Sequence, residues 1–266
     1  MKLSKEQVDR YSRQIILPEI GGNGQKKLLD SKVLIVGMGG LGSSCAIYLA
    51  AAGIGNIGIV DFDNIRLNNL QRQIIHSERY LNKPKVESAR DRIKELNTDI
   101  EVVTYNTKIA PENALDIIKN YDIVADCTDN FPSRYLINDA CVLSNKPFAH
   151  AAILQFYGQA LTILPYKSAC YRCFLPDPPP QDLVSNCEQV GVMGAVVGIM
   201  GIIQANEIIK YILNIGKLLN GKLLIFDSLD SSFEKFLIKS DPKCPICGKH
   251  RMITDLTKNQ EFYCSK

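Results

Sequence analysis

The sequence has little excess charge of either sign. Lys plus Arg number 31 and Asp plus Glu 28, a net +3 dispersed along 266 residues. That is too small and too scattered for a nucleic-acid-binding face. The longest uncharged apolar run, near residues 190–203, is followed by Gln204, Asn206 and Glu207. It falls short of the roughly 18–20 residues a membrane span needs, so a buried core helix is expected and no membrane partner. No signal peptide is visible either, because Met1-Lys2-Leu3-Ser4-Lys5-Glu6 is charged and no apolar core follows it. Repeats and low-complexity tracts are missing, and the composition excludes collagen, long disorder and coiled coil. A cytoplasmic location is expected. There the nine cysteines read as reduced thiols, metal ligands or catalytic groups rather than a disulfide framework.

What is present is the alternation of an α/β protein. Hydrophobic residues make up 46% and charged residues 22%, as in ordinary soluble globular chains. Residues 1–30 read as a helical arm with a turn at Gly21-Gly22-Asn23-Gly24. Strand signals follow at Lys32–Val36, Asn56–Val60, Ile100–Tyr105, Tyr121–Ala125 and Pro147–Leu154, with helical spacing at Leu41–Ala52, Lys85–Leu96 and Ser133–Leu143. Such alternation predicts a Rossmann-like, mostly parallel sheet with helices on both faces. After about residue 155 the pattern changes to a strand at Gln159–Leu164, a Pro-rich loop at 176–180, a long helix at Gly191–Leu213 and an antiparallel pair at Lys222–Asp227 and Phe233–Ile238. One continuous domain over residues 1–266 is expected, with a nucleotide-binding core at 31–155, an elaboration at 156–248 and a tail at 249–266. Gly194, Gly198 and Gly201 share one side of the long helix, which predicts a tight helix contact.

Gly37-Met38-Gly39-Gly40-Leu41-Gly42 directly follows a strand and opens a helix. It fits the dinucleotide fingerprint, in which glycines permit a tight turn and the helix N-terminus offers N–H groups to phosphate. Asp61 ends the next strand, placed to accept from a ribose hydroxyl. On this turn alone the default ligand is NAD. It is not a P-loop, because Ser43 stands where the phosphate-binding lysine must be. If ATP is the ligand, its cations come from elsewhere. Asn68-Asn69-Leu70-Gln71-Arg72, Lys83-Pro84-Lys85 and Asp126-Cys127-Thr128-Asp129-Asn130 each lie near a strand's carboxyl end, where open α/β sheets bind ligands. Arg72 and Lys85 can clamp phosphates, and Asp129 can hold Mg²⁺.

The cysteines divide by setting. Cys170-x-x-Cys173 and Cys244-x-x-Cys247 are metal-knuckle pairs. Four thiolates would make a closed structural zinc site, although the long gap also allows two unrelated pairs of buried thiols. Cys187 follows a polar loop and precedes the long helix by a few residues, where a thiol tends toward thiolate. Cys45, Cys127 and Cys141 read as small buried hydrophobes, and Cys264 has no assignable role.

Taken in order, these motifs carry a resemblance. Arg10-Tyr11-Ser12-Arg13-Gln14, the glycine turn, Asp61-Phe62-Asp63, Asn69 to Gln73, Lys83 to Lys85, Asp126 to Asn130 and the two cysteine pairs resemble the ThiF/MoeB/HesA family, bacterial relatives of ubiquitin-activating enzyme. The resemblance runs from about Arg10 to Gly248. It implies an adenylyltransferase that uses ATP and Mg²⁺ to activate the C-terminal glycine carboxylate of a small ubiquitin-like sulfur carrier of the ThiS or MoaD type. The pathways implied are thiamine, molybdopterin or related sulfur transfer. By the same resemblance Gly40, Asp61, Asn68 to Arg72, Lys85, Asp129 and Asn130 contact ATP or its metal. Arg13 enters from the other protomer of a homodimer, Cys187 is a covalent-adduct candidate, residues 156–248 hold the carrier, and the four paired cysteines share one structural zinc. His76, His150 and His250 stay structural or exposed, since the attacking carboxylate is ionised at neutral pH. A sulfur donor such as a cysteine desulfurase or rhodanese is expected as a separate protein. The competing readings are an NAD-dependent oxidoreductase, a catalytically dead scaffold and a tRNA threonylcarbamoyladenosine dehydratase of the same superfamily. The first leaves Arg72, Lys85, Asp129 and the cysteine pairs unexplained. Intact Arg72, Lys85 and Asp129 speak against the second, and the two knuckles and short carboxyl end fit the third less well.

Overall fold

The computed structural model describes residues 3–178, 191–258 and 263. Its elements are α1 (Lys5–Arg10), α2 (Ser12–Ile15), α3 (Gly21–Asp30), β1 (Lys32–Val36), α4 (Gly40–Ala52), β2 (Asn56–Val60), α5 (Lys85–Leu96), β3 (Glu101–Tyr105), α6 (Ala114–Ile118), β4 (Ile123–Asp126) and α7 (Phe131–Leu143). They continue with β5 (Phe148–Leu154), β6 (Tyr157–Ile163), α8 (Tyr171–Phe174), α9 (Gly194–Leu213), β7 (Lys222–Asp227) and β8 (Ser232–Leu237). The eight strands form one sheet in the order β3-β2-β1-β4-β5-β6-β7-β8. The first five run parallel, and β6, β7 and β8 continue antiparallel. The expected mostly parallel sheet with an antiparallel elaboration is the observed one.

Both faces of the sheet are covered. Along β1, Val33 and Ile35 enter one core while Leu34 and Val36 enter the other, because successive side chains of a strand point to opposite faces. That double burial explains why β1 reads as an unbroken apolar run. On the first face α9 lies against α4. A Cβ on Gly201 would stand 2.1 Å from Ser44 Oγ and 2.4 Å from the Leu41 carbonyl oxygen, so the two backbones touch there. Gly194 is similarly close to the Gln71 carbonyl, which lies in a turn, and Gly198 has open space beside it, so Gly201 alone of the three makes the expected helix contact. The 20-residue α9 is long and apolar enough to cross a membrane by length and composition. Val196, Val197, Met200, Ala205 and Ile208 are buried, so it is a core helix here.

Other sequence readings needed correction. Gly21 to Gly24 is no turn but the first part of α3. Gly24 fits closely against Ile20 and Leu213, and Leu28 is fully buried, so tertiary packing overrides the low helix propensity of glycine. The short α6 was missed because five residues are too few to show a helical period. The segment read as a tail is tied down: Ile253, Leu256 and Tyr263 are buried, and the Tyr263 hydroxyl donates to Asp139 at 2.6 Å.

Candidate functional site

The sequence moves from β1 to β2 on one side and later to β4 on the other, so the topological switch point lies between β1 and β4. Helices α4 and α7 begin there, the places where such sheets bind ligands. The cavity at this point holds about 380 Å³. Gly37 takes a positive φ of +92°, and a Cβ on Gly42 would stand 2.1 Å from the Gly37 carbonyl oxygen. Each glycine is therefore required by the tight entry into α4. Asp61 ends in the same place, its carboxylate accepting from the Met38 N–H at 2.6 Å and the Asp63 N–H at 2.8 Å. Burial raises the Asp61 carboxyl above its ordinary range, opposed by Lys85 and these two amides.

Gly37, Gly39, Gly40, Asp61, Arg72, Lys85, Asp129 and Asn130 all line the cavity. Lys85, buried at the start of α5, donates to Asp63 Oδ2 at 2.8 Å. Arg72 is half-buried and donates to the Asn68 carbonyl at 3.1 Å. Asp129 is exposed at the mouth. Asn130 caps α7, its side chain accepting from the Ser133 N–H at 2.9 Å. The remaining motif residues stand differently. Gly42, Asn68, Asn69, Leu70 and Gln71 do not line the cavity. Leu67–Asn69 form a single 3-10 turn in which Asn69 Oδ1 accepts from the Arg66 N–H, and the Asn69 carbonyl accepts from the Arg72 and Gln73 N–H groups. This turn orients Arg72 and Gln73 toward the cavity.

Arg13 does not line the cavity either. Its neighbours pin the arm to the far end of α4: Gln14 donates to the Ala52 carbonyl at 3.0 Å, and Tyr11 packs on Gly53. Since α4 has 13 residues, exposed Arg13 stands roughly 20 Å from its own glycine turn. Cys187 lies outside the described residues, as does Cys264.

Motif reading missed Thr107, Lys108, Ser133 and Arg134 and gave Gln73, quoted within a motif, no role at the site, yet all five line the cavity. Arg134 had a signal. It occupies the first turn of α7 just after the Asn130 cap, and helical side chains lean back toward the N-terminus. The two buried histidines are not among the lining residues. His76 bonds Ser88 Oγ and the Met38 carbonyl, and burial, helped by Lys85, pushes it down to about 4. His150 bonds Asp126 Oδ2 at 2.7 Å, and burial lowers it against the pull of that carboxylate.

The cysteine pairs form one cluster. The sulfurs of Cys170, Cys173, Cys244 and Cys247 all lie within 4.8 Å of one another. Three of the separations are 3.8, 3.6 and 3.4 Å. A tetrahedral zinc with bonds of about 2.3 Å requires sulfurs about 3.8 Å apart, so the four donors fit that ion. Each pair sits in a turn, with the Cys173 N–H donating to the Cys170 carbonyl and the Gly248 N–H to the Cys244 carbonyl, both at 3.0 Å. The Asp241 N–H donates to Cys173 Sγ at 3.4 Å, a contact of the kind that steadies a thiolate ligand. Cys45, Cys127 and Cys141 are buried thiols as expected.

The geometry agrees with the family comparison. The ThiF family model matches residues 11–246, and the chain belongs to that family. It is 48% identical over 266 residues to the adenylyltransferase and sulfurtransferase MOCS3 of Culex quinquefasciatus, covering 99% of this chain and 60% of that protein. The MOCS3 of Sus scrofa is 45% identical over 264 residues, covering 98% and 58%. The chain thus spans about three-fifths of the length of these relatives. Among solved structures, E. coli MccB with ATP superposes with a TM-score of 0.79 at 26% identity, over 90% of this chain and 73% of MccB.

Proposed function

We propose that this chain is an ATP-dependent adenylyltransferase that activates the C-terminal carboxylate of a small ubiquitin-like sulfur carrier. The observation that carries the reading is the meeting of Arg72, Lys85 and Asp129 with the glycine turn in one cavity at the switch point. An NAD-dependent oxidoreductase leaves those charges without a task. The names of the relatives, which join adenylyl transfer to sulfur transfer, and the ATP bound to MccB support the same reading.

The α4 N-terminus with Gly39 and Gly40 receives phosphate through backbone N–H groups, and Asp61 orients the ribose. Arg72 and Lys85 hold the phosphate oxygens and oppose their charge. A carboxylate oxygen of the carrier attacks the α-phosphorus, and the bond from that phosphorus to the bridging oxygen breaks. The products are an acyl-adenylate and pyrophosphate. No side chain need take a proton, because the nucleophile is already ionised. Mg²⁺, which Asp129 would hold, supplies neutralisation of the leaving pyrophosphate. A zinc held by Cys170, Cys173, Cys244 and Cys247 would be structural, because a Cys₄ site leaves no open coordination position.

The second protomer of a homodimer would supply Arg13, whose distance from its own cavity supports transfer in trans. Carrier identity, pathway, a cytoplasmic setting, a carrier-binding role for residues 156–248, an adduct at Cys187 and a separate sulfur donor belong to the same proposal. The decisive measurement is exchange of labelled pyrophosphate into ATP against a panel of carriers. Exchange should require Mg²⁺ and an intact carrier C-terminal glycine, and should fall at least about 100-fold in Asp129→Ala. NAD binding without ATP binding, or wild-type exchange in Asp129→Ala, overturns the reading. Arg13→Ala and Arg72→Ala, each inactive, should recover about a quarter of wild-type activity after unfolding and remixing, since random assembly gives half heterodimers with one intact site each. No recovery on verified remixing rules out the shared site.

A further inference from the structure

The cavity holds a second guanidinium, Arg134, in a different electrostatic setting from Arg72 and Lys85. Arg134 is 8% exposed, against a half-buried Arg72, and unlike Lys85 it has no carboxylate partner within 4.0 Å among the described residues. Its Nε and Nη2 both reach the single Thr128 carbonyl oxygen, at 3.4 and 3.3 Å. The neutral Tyr171 hydroxyl lies beside it, and its face rests over the Phe131 ring at 5.3 Å. None of these neighbours carries negative charge. The Asp126 carboxylate is close enough to feel the guanidinium, but both its oxygens are engaged elsewhere, Oδ1 by Thr128 and Oδ2 by His150. A buried cation without a contacting anion is costly, and the cost is relieved when a ligand brings the anion.

Position says which anion. Arg72 and Lys85 stand on the α4 side of the switch point, where the glycine turn and helix N-terminus are built for phosphate. Arg134 stands across the crevice on α7, beside Thr128 and Ser133. Two anions must approach to within roughly 3–3.5 Å for the carboxylate to attack phosphorus, and they repel each other. Cations on opposite walls hold both. A planar guanidinium fork also matches the two oxygens of a carboxylate.

We propose that Arg134 receives the carboxylate of the acyl substrate, dividing the cavity into a phosphate end at Arg72 and Lys85 and a carboxylate end at Arg134. This rests on the adenylation reading above. Before transfer the guanidinium pairs with the carboxylate. As the new oxygen–phosphorus bond forms, the charge on that group is lost, and the remaining carbonyl oxygen keeps a hydrogen bond from Arg134.

The competing role for Arg134 is purely structural, holding the Thr128 carbonyl and with it the 127–130 loop. The test uses the full chain and the carrier that supports exchange, prepared with a free C-terminal carboxylate and with a C-terminal carboxamide. Binding of each is measured with a non-hydrolysable ATP analogue present, and analogue affinity is measured alone. The wild-type protein should prefer the free acid by about 10- to 100-fold, the strength of a charge-assisted pair. Arg134→Gln should abolish that preference while changing analogue affinity less than about threefold. Arg134→Lys, which keeps the charge without the fork, should restore part of the preference and serves as the reporter if Arg134→Gln does not fold. An undiminished preference in Arg134→Gln or, where that variant does not fold, in Arg134→Lys overturns the proposal. So does a parallel loss of analogue and carrier affinity. A wild-type protein without carrier-dependent exchange overturns the adenylation reading instead, before any variant is compared.

Discussion

The two faces of the sheet are built on different physical grounds. The first face, covered by α4, α5 and α9, has a mainly aliphatic core in which α9 and α4 touch backbone to backbone at Gly201. Its buried polar side chains on α9 are each satisfied locally, Glu207 by Thr162 and the Leu219 N–H and Gln204 by the Asp126 and Ala149 carbonyls. The second face, covered by α6, α7 and α8, buries ions, aromatic rings and thiols. Arg172 makes a bidentate pair with Asp139 at 2.7–3.1 Å, Tyr263 bonds the same carboxylate, and the four-cysteine cluster closes the end. The lesson is that volume dominates the first face, while the second adds a buried ion pair, aromatic rings and metal valence. The nucleotide cavity opens where both meet.

If that division holds, the second face should fail most severely when its valence is removed. Metal analysis should find about one zinc per chain, and Cys244→Ser or strong chelation should cost about 5 kcal/mol or more, because metal binding energy is folding energy. At this chain length that corresponds to a melting temperature lower by roughly 10 °C or more. Protein purified without chelator and free of zinc would remove the distinction between the faces.

Acid sharpens the comparison with an effect of middling size. Burial lowers His76, on the first face, to about 4, so between its ordinary value of about 6.5 and 4 the unfolded chain binds the extra proton. Stability from this group is complete above about pH 6.5 and is lost as pH falls toward 4, by about 3 kcal/mol. His150 acts in the same direction on the second face, while Asp126, raised by burial but held down on balance by hydrogen bonds from His150 and Thr128 and the charge of nearby groups such as Arg134, loses its contribution only as pH falls below the usual carboxylate range. Denaturant titration of His76→Gln across this window should show a slope reduced by about one proton. An unchanged slope would show that His76 is not buried neutral.

The smallest effect probes volume on the first face. Gly201→Ala places a methyl against the Leu41 carbonyl oxygen and Ser44, and should cost about 1–3 kcal/mol by forcing α9 from α4. Gly198→Ala, in open space on the same helix, should be neutral or stabilise by up to about 1 kcal/mol through helix propensity. Equal melting temperatures for the two variants would contradict backbone contact as the basis of this face.

Much of the fold was legible because it is local. Strands β1 and β2 and helix α5 match their sequence readings residue for residue, since apolar runs, strand-ending glycine or acid and helical spacing lie within a few residues of each other. The glycine turn, Asp61, Arg72, Lys85 and Asp129 were likewise visible as motifs, and the two cysteine pairs as spacings. Their meanings were not equally local. Asn68 to Gln71 share a motif with Arg72, yet they shape the turn that aims it rather than facing the cavity.

By itself the sequence determined the α/β alternation, the phosphate-ready turn and the supply of charges and thiols, because each depends on neighbours within one element. Only the tertiary structure decided that sulfurs 74 positions apart converge within zinc-binding distance, and that a glycine-rich segment is helical because Ile20 and Leu213 close around it. It also decided that Arg13 stands away from its own cavity while Arg134, outside every motif, is buried in its wall. These outcomes depend on where the chain folds back on itself, and long-range closure and burial leave no mark in the spacing of residues along a strand or helix.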